Sequence, residues 1–237
     1  MPLVLLPGFL CDETVWQHQL SALTPTCDCL VPDYGHLDSL SAMASAVLSQ
    51  APTRFAVAGH SMGGRIALEI FRQAPHRVTH IALLDTGCHA RPADESGTEE
   101  ERGRRSLLAI ARERGMRAMA AQWIPPMIHP HRLADTALME RIVQMMERKT
   151  PEIFEAQMNA LLARPEAGDL LPNIACPALI LTGSHDAWSP PVRHEEMAAA
   201  IPNSTLVIVP DCGHMSTMEC PGAITKAIQY WLGAEAV

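Results

Sequence analysis

One serine lies in a setting that suits a nucleophile. The segment Gly59-His60-Ser61-Met62-Gly63-Gly64 follows an apolar run at 55–58 and precedes a helical pattern at 65–74. A serine raised above the edge of a sheet needs a very tight turn, and glycines on either side remove side chains that would collide there. Neither a Walker lysine nor the three-glycine spacing of a dinucleotide site is present, so a phosphate-binding loop is disfavoured.

A serine nucleophile needs a base, and the base needs a third group to hold its tautomer. His214 and Asp186 each follow an apolar run, where loops at the carboxyl edge of a parallel sheet carry function. Asp85 ends another such run and is an alternative acid. Asp211 is interpreted as a turn residue. His60, beside the serine on a sharp turn, is predicted to be packed or hydrogen-bonded and not the base.

The elements that must position these residues alternate between strands and helices, which is typical of a parallel sheet with helices on both faces. Apolar runs predict six strands, at 3–6, 29–31, 55–58, 81–84, 178–181 and 206–209. Helical spacing of apolar residues predicts helices at 13–23, 40–50, 62–74, 191–200 and 221–232.

The middle of the chain departs from this alternation. Between 91 and 170 no strand is convincing, and helical patterns at 102–121, 133–148 and 152–163 are separated by prolines. We therefore expect a helical cap, 91–170, inserted after the fourth strand into an α/β core formed by 1–90 and 171–237.

Three motifs in order give the chain a family resemblance. The turn at 59–64, the Gly183-Ser184-His185-Asp186 segment followed by Pro190, and the late Gly213-His214 pair resemble the α/β-hydrolase superfamily, in particular its small capped esterases and related lactone or carbon–carbon bond hydrolases. The resemblance covers nearly the whole chain. It implies an α/β-hydrolase fold with a minimal, mostly parallel six-stranded sheet, and a catalytic triad whose chain order is serine, acid, histidine.

The resemblance also implies an oxyanion hole built from the backbone N–H groups of Phe9 and Met62. Two departures from the family stand out. Leu3 already begins the first strand, whereas relatives usually have a hairpin before it. Pro7-Gly8 stands where relatives usually carry His-Gly, and Pro7 has no backbone N–H to donate.

Candidate pocket residues come from both parts of the chain. Leu10 and Trp188 are expected to reach the substrate from the core side. Seven of the 13 methionines fall in the insertion, where flexible thioethers suit an adaptable apolar surface. Most of them are expected to pack the cap helices, while Met127 and the nearby Trp123 are expected to line the cavity.

The expected reaction is hydrolysis of carboxylic esters of small to medium, mainly apolar acyl groups through an acyl-serine. His214 would accept the proton of Ser61 and Asp186 would orient the imidazole. With an unperturbed histidine, activity would fall as the pH drops through roughly 6.5. Enol-lactone and carbon–carbon bond hydrolysis use the same three residues, and a non-catalytic ligand-binding protein of this fold is a further alternative.

Composition limits the remaining classes. The chain has 237 residues, 48% apolar and 19% charged, which fits a globular protein with a buried core. Its net charge of −8 disfavours nucleic acid as a partner. No apolar run is long enough to span a bilayer, and seven cysteines without framework spacing indicate reduced thiols in the cytoplasm. We expect no metal and no cofactor, a small-molecule ester or lactone substrate, no membrane partner, and a monomer or homodimer.

Overall fold

A single six-stranded sheet forms the centre of the molecule. The computed structural model describes residues 1–233, and the last four residues of the predicted core, 234–237, lie outside that range. The strands are β1 (Leu3–Leu6), β2 (Cys29–Leu30), β3 (Phe55–His60), β4 (Val78–Leu84), β5 (Ala178–Gly183) and β6 (Ser204–Val209). All six predicted strands are present. Four of them, β3 to β6, are longer than the apolar runs alone indicated, and β2 is one residue shorter.

Every neighbouring pair of strands is parallel, in the order β2-β1-β3-β4-β5-β6. β1, β3 and β5 are completely buried, in keeping with strands that are covered by helices on both faces. The order reverses between β1 and β3. Ligands in open α/β sheets bind at the carboxyl ends of the strands beside such a reversal, and the loop after β1 and the serine turn after β3 both lie there.

Ten α-helices are present within the described residues. Those before β4 or after β5 are α1 (Gln17–Leu23), α2 (Leu40–Gln50), α3 (Met62–Gln73), α8 (Pro191–Ala200), α9 (Ser216–Glu219) and α10 (Pro221–Trp231). Those between β4 and β5 are α4 (Glu95–Arg114), α5 (Met116–Trp123), α6 (Thr136–Glu147) and α7 (Pro151–Leu162). Short 3₁₀ helices occupy Glu13–Trp16, Pro75–Arg77, Pro125–Met127, Pro130–Arg132 and Gly168–Asn173.

The predicted helix at 102–121 is two helices. Gly115 ends α4 with φ 87°, a left-handed conformation that costs glycine little and interrupts the helix. α4 begins seven positions earlier than its apolar pattern, because Asp94 caps it by accepting from the amides of Ser96 and Gly97. The first part of α4 consists mostly of charged residues, so apolar spacing did not predict a helix there.

The four helices between β4 and β5 form a connected layer, in which α4 contacts α5 and α7, and α5 contacts α6. No strand is found among residues 91–170, as expected. The assignment of this segment as a separate cap stays a prediction. Within residues 1–233, none of the helices combines the length and the apolar character that crossing a bilayer requires.

Candidate active site

Ser61 lies on the tight turn between β3 and α3. Its φ of 54° and ψ of −114° are strained for a residue with a side chain. A Cβ placed on Gly63 would lie 2.2 Å from the carbonyl oxygen of Leu6, and one on Gly59 would lie 2.2 Å from that of Gly63. Both glycines are therefore required where strand and helix converge, as the motif predicted.

The three predicted residues meet above the sheet. His214 Nε2 lies 2.9 Å from Ser61 Oγ, and His214 Nδ1 lies 2.8 Å from Asp186 Oδ2. Asp186 Oδ1 in turn accepts hydrogen bonds from the amides of Trp188 and Ser189, at 2.9 and 2.8 Å. Both oxygens of the carboxylate are thus engaged, and one of them is directed to the imidazole.

The charges of this arrangement shift two pKa values. Burial lowers the pKa of His214, but the charge and the hydrogen bond of Asp186 outweigh it, so the pKa of His214 lies above its ordinary value. Burial alone would raise the pKa of Asp186. The contacts with His214 and with the two backbone amides outweigh burial, so the pKa of Asp186 lies below its ordinary value. The pair therefore favours an ionised aspartate beside a histidine of increased basicity.

A buried glutamate holds the loop that carries the histidine, and no sequence pattern indicated this role. Glu219, in α9, accepts hydrogen bonds from the amides of His129, Gly213 and Met215 at 2.8, 3.2 and 3.0 Å. The amide of His214 donates to the carbonyl of Met127 at 2.7 Å. The backbone on both sides of the imidazole is thereby fixed, partly by residues of the segment between β4 and β5.

Asp85, the alternative acid, makes no hydrogen bond to the imidazole of His214. Its carboxylate accepts from the amide of Gly183 at 3.2 Å and from the hydroxyl of Ser216. His60 is completely buried, and burial lowers its pKa to about 4, so the ring is neutral. Its Nε2 lies 2.9 Å from the carbonyl of His214, which is the hydrogen-bonded role expected for it.

The loop after β1 presents backbone amides next to Ser61. The amide of Cys11 donates to the carbonyl of Gly8 at 3.1 Å, which closes a turn with Leu10 at φ 58°. A Cβ on Gly8 would lie 2.8 Å from His60 Nδ1, so this loop packs directly on the serine turn. In residues 1–233 the amides of Phe9 and Met62 have no hydrogen-bond acceptor, which leaves both free to donate to a ligand.

Two cavities open on Ser61 and His214. The smaller has a volume of about 40 Å³ and is mainly apolar, with a lining that includes Trp123, Met127 and Trp188. Three of the four predicted pocket residues therefore lie together. Leu10 does not belong to the lining of either cavity: its side chain is completely buried, because the turn at φ 58° packs it into the core.

The larger cavity, about 360 Å³, has a different character. Its lining includes four arginines, Arg65, Arg104, Arg164 and Arg193, and one glutamate, Glu100. From the sequence we predicted mainly apolar acyl groups, and we did not predict this concentration of charge. The arginines come from four separate segments and meet only in the folded protein.

The sheet order, the strained serine on its strand-to-helix turn and the Ser–His–Asp geometry define the class as an α/β hydrolase. The chain matches the model of the alpha/beta hydrolase family over residues 3–227. It belongs to that family.

Among curated proteins, the chain is similar to two pimeloyl-[acyl-carrier protein] methyl ester esterases. That of Nitrosomonas europaea is 26% identical over 232 residues, which cover 92% of this chain and 90% of the relative. That of Pectobacterium carotovorum is 28% identical over 238 residues, which cover 95% and 92%.

Among solved structures, a thermophilic esterase from Thermogutta terrifontis, with malate bound, is 31% identical with a TM-score of 0.88, and the match covers 98% of this chain and 89% of that one. The enol-lactonase from Burkholderia xenovorans is 22% identical with a TM-score of 0.85, covering 98% and 91%. The second likeness shows the fold alone.

Proposed function

We propose that the protein is a serine hydrolase that cleaves carboxylic esters through an acyl-serine intermediate. The observation that carries the proposal is the unbroken chain of contacts from Ser61 Oγ through His214 to Asp186, at 2.9 and 2.8 Å. The similar proteins with esterase names support the ester bond as the target.

In the proposed reaction, His214 Nε2 takes the proton of Ser61 as Oγ attacks the ester carbonyl. Asp186 keeps the proton of the neutral imidazole on Nδ1 and stabilises the imidazolium that forms. The amides of Phe9 and Met62 hold the oxyanion of the tetrahedral intermediate. His214 then protonates the departing alcohol, and a water molecule activated by the same imidazole releases the acid.

The smaller cavity supports a substrate with one small apolar arm. Its walls include Phe9, Trp123, Met127 and Trp188, and its volume of about 40 Å³ suits a group of a few carbon atoms. Trp123 and Met127 come from the segment between β4 and β5. We therefore propose that residues 91–170 act as a cap that closes this side of the site.

Labelling and turnover together test the proposal. A fluorophosphonate should form an adduct at Ser61 in the folded protein, and 4-nitrophenyl butyrate should be hydrolysed. Ser61→Ala should remove the adduct and lower kcat by several orders of magnitude, roughly 10⁴ or more. Ser216→Ala is the matched control, since that buried serine contacts Asp85 and not His214. Absence of both adduct and turnover would favour a ligand-binding protein of this fold and refute the proposal.

A further inference from the structure

The larger cavity holds more positive charge than its own acidic residues balance. Arg65 is on α3, Arg104 on α4, Arg164 follows α7 and Arg193 is on α8, and all four line the space next to Ser61. Four elements of the fold therefore direct guanidinium groups toward one cavity.

Glu100 pairs with two of these arginines. Its Oε1 lies 3.1 Å from Arg104 Nε, and its two oxygens each lie 2.8 Å from a nitrogen of Arg164. The fork-to-fork geometry with Arg164 is the bidentate form that a guanidinium prefers with a carboxylate. Both oxygens of Glu100 are thus engaged by Arg104 and Arg164.

Arg65 and Arg193 have no carboxylate partner. Across residues 1–233, no aspartate or glutamate oxygen lies within 4.0 Å of either guanidinium. Arg65 donates to the carbonyl of His89 at 2.8 Å, and Arg193 donates to that of Trp188 at 3.4 Å. Each is held in place by a backbone oxygen and keeps further N–H donors for a ligand.

The two arginines without partners lie side by side. A Cβ built on Gly87 would be 3.3 Å from Arg65 Nη2 and 4.0 Å from Arg193 Cδ. Burial, and next the positive charge of Arg164, lower the pKa of Arg65 to about 9, so it remains charged at neutral pH. Asp85, the other acid in the lining, is engaged by Gly183 and Ser216 and has a pKa raised by burial well above its usual value.

We infer that the natural ester carries an anionic oxygen group, a carboxylate or phosphate, which binds Arg65 and Arg193 in the larger cavity while the small apolar arm occupies the other. The inference rests on the proposed function. A planar guanidinium offers paired N–H donors that match the oxygens of either group. A charged substrate arm would also supply the countercharge that the two arginines lack, and burial reduces the screening by water at Arg65.

Matched esters test the inference on both arms. For the acyl arm, monomethyl glutarate and methyl 4-phosphonobutanoate are compared with the neutral dimethyl glutarate. For the alcohol arm, 4-acetoxybenzoate is compared with its neutral methyl ester. We expect at least one charged ester to exceed its neutral partner about tenfold or more in kcat/KM, the effect of one charge-assisted hydrogen bond. The better of the carboxylate and phosphonate esters identifies the group. Neutral esters that match or exceed their charged partners on both arms would overturn the inference.

Two substitutions connect the preference to its residues. Arg65→Gln and Arg193→Gln should each lower the charged-to-neutral ratio of kcat/KM about tenfold. Arg193 is exposed, so its replacement tests the inference even where Arg65→Gln fails to fold. Arg105→Gln is the control, because Arg105 follows Arg104 on α4 but pairs with Glu101 outside the cavity. A ratio that Arg105→Gln changes as much as the other two would count against the site.

Measurements of anion binding distinguish a failure of the inference from a failure of the proposed function. Glutarate and 4-phosphonobutanoate are titrated calorimetrically into Ser61→Ala, which cannot form an acyl-enzyme. Binding that Arg193→Gln weakens supports the anion site even in a protein without hydrolase activity. Hydrolysis of neutral esters with an adduct at Ser61, but with no binding of either anion, would leave the proposed function in place and refute the inference.

Discussion

Replacement of Asp186 by asparagine tests the proposed chemistry at a single pair of atoms. In the native protein, Oδ1 accepts from the amides of Trp188 and Ser189, while Oδ2 lies 2.8 Å from His214 Nδ1. An asparagine keeps the two backbone hydrogen bonds through its Oδ1, so its NH₂ group faces Nδ1. That donor forces the imidazole proton onto Nε2, which then faces Ser61 Oγ and cannot accept its proton.

The same change in the triad of a serine protease lowers kcat by about 10⁴. That factor corresponds to ~5.5 kcal/mol of lost transition-state stabilisation. We expect a loss of this size in kcat/KM for 4-nitrophenyl butyrate. The unfolding temperature should change little, because the two backbone amides keep their acceptor.

Asp85→Asn is the matched control for this substitution. Asp85 is also a buried aspartate that follows a strand, but its oxygens contact Gly183 and Ser216, with the His60 ring 3.5 Å away, and not the imidazole of His214. We expect Asp85→Asn to lose far less activity than Asp186→Asn. A large loss in Asp85→Asn together with a small loss in Asp186→Asn would show that the acid has been assigned to the wrong residue.

The pH profile and the glycines give two further predictions. The pKa of His214 is raised above 6.5, and this base must be neutral to accept a proton. We therefore expect kcat/KM to fall with decreasing pH around a midpoint above 6.5. A midpoint at or below 6.5 would contradict the electrostatic role of Asp186. Gly63→Ala places a Cβ 2.2 Å from the Leu6 carbonyl and should lower the free energy of unfolding by more than about 3 kcal/mol in urea titrations. Gly103→Ala, in an exposed part of α4 with open space around it, should raise that free energy by about 0.5–1 kcal/mol, and equal effects of the two changes would refute the steric argument.

The sequence contained enough information for the strands and for the three side chains of the proposed triad. Each of these residues follows a buried strand, and in a parallel sheet the carboxyl ends of the strands share one edge, so local patterns placed Ser61, Asp186 and His214 together. The glycines at 59 and 63 marked the tight turn independently. Local signals of this kind predict which residues lie at that edge of the sheet, and they left Asp85 as a second candidate for the acid.

Features that depend on tertiary contacts could not be predicted. Glu219 holds the histidine loop through three backbone amides, two of them close to it in the chain, yet a glutamate in a short helix has no distinctive pattern. About a hundred residues separate Arg65 from Arg164, and about thirty separate Arg164 from Arg193. The net charge of the whole chain is negative, so it did not indicate a cluster of arginines. Leu10 was expected in the pocket, but its left-handed backbone buries the side chain. Residue type does not indicate such a backbone conformation at a leucine.

Two hydrogen bonds that backbone amides donate limit how this protein can be redesigned. The amide of Leu10 donates to Gln157 Oε1 at 2.9 Å, and the amide of His214 donates to the carbonyl of Met127 at 2.7 Å. Both acceptors belong to the segment between β4 and β5. A chimera that exchanges this segment for one from a relative, in order to change selectivity, would therefore also remove supports of the Leu10 turn and of the His214 loop. A successful graft has to supply both acceptors again, with a glutamine at the position of Gln157 and a backbone carbonyl at that of Met127.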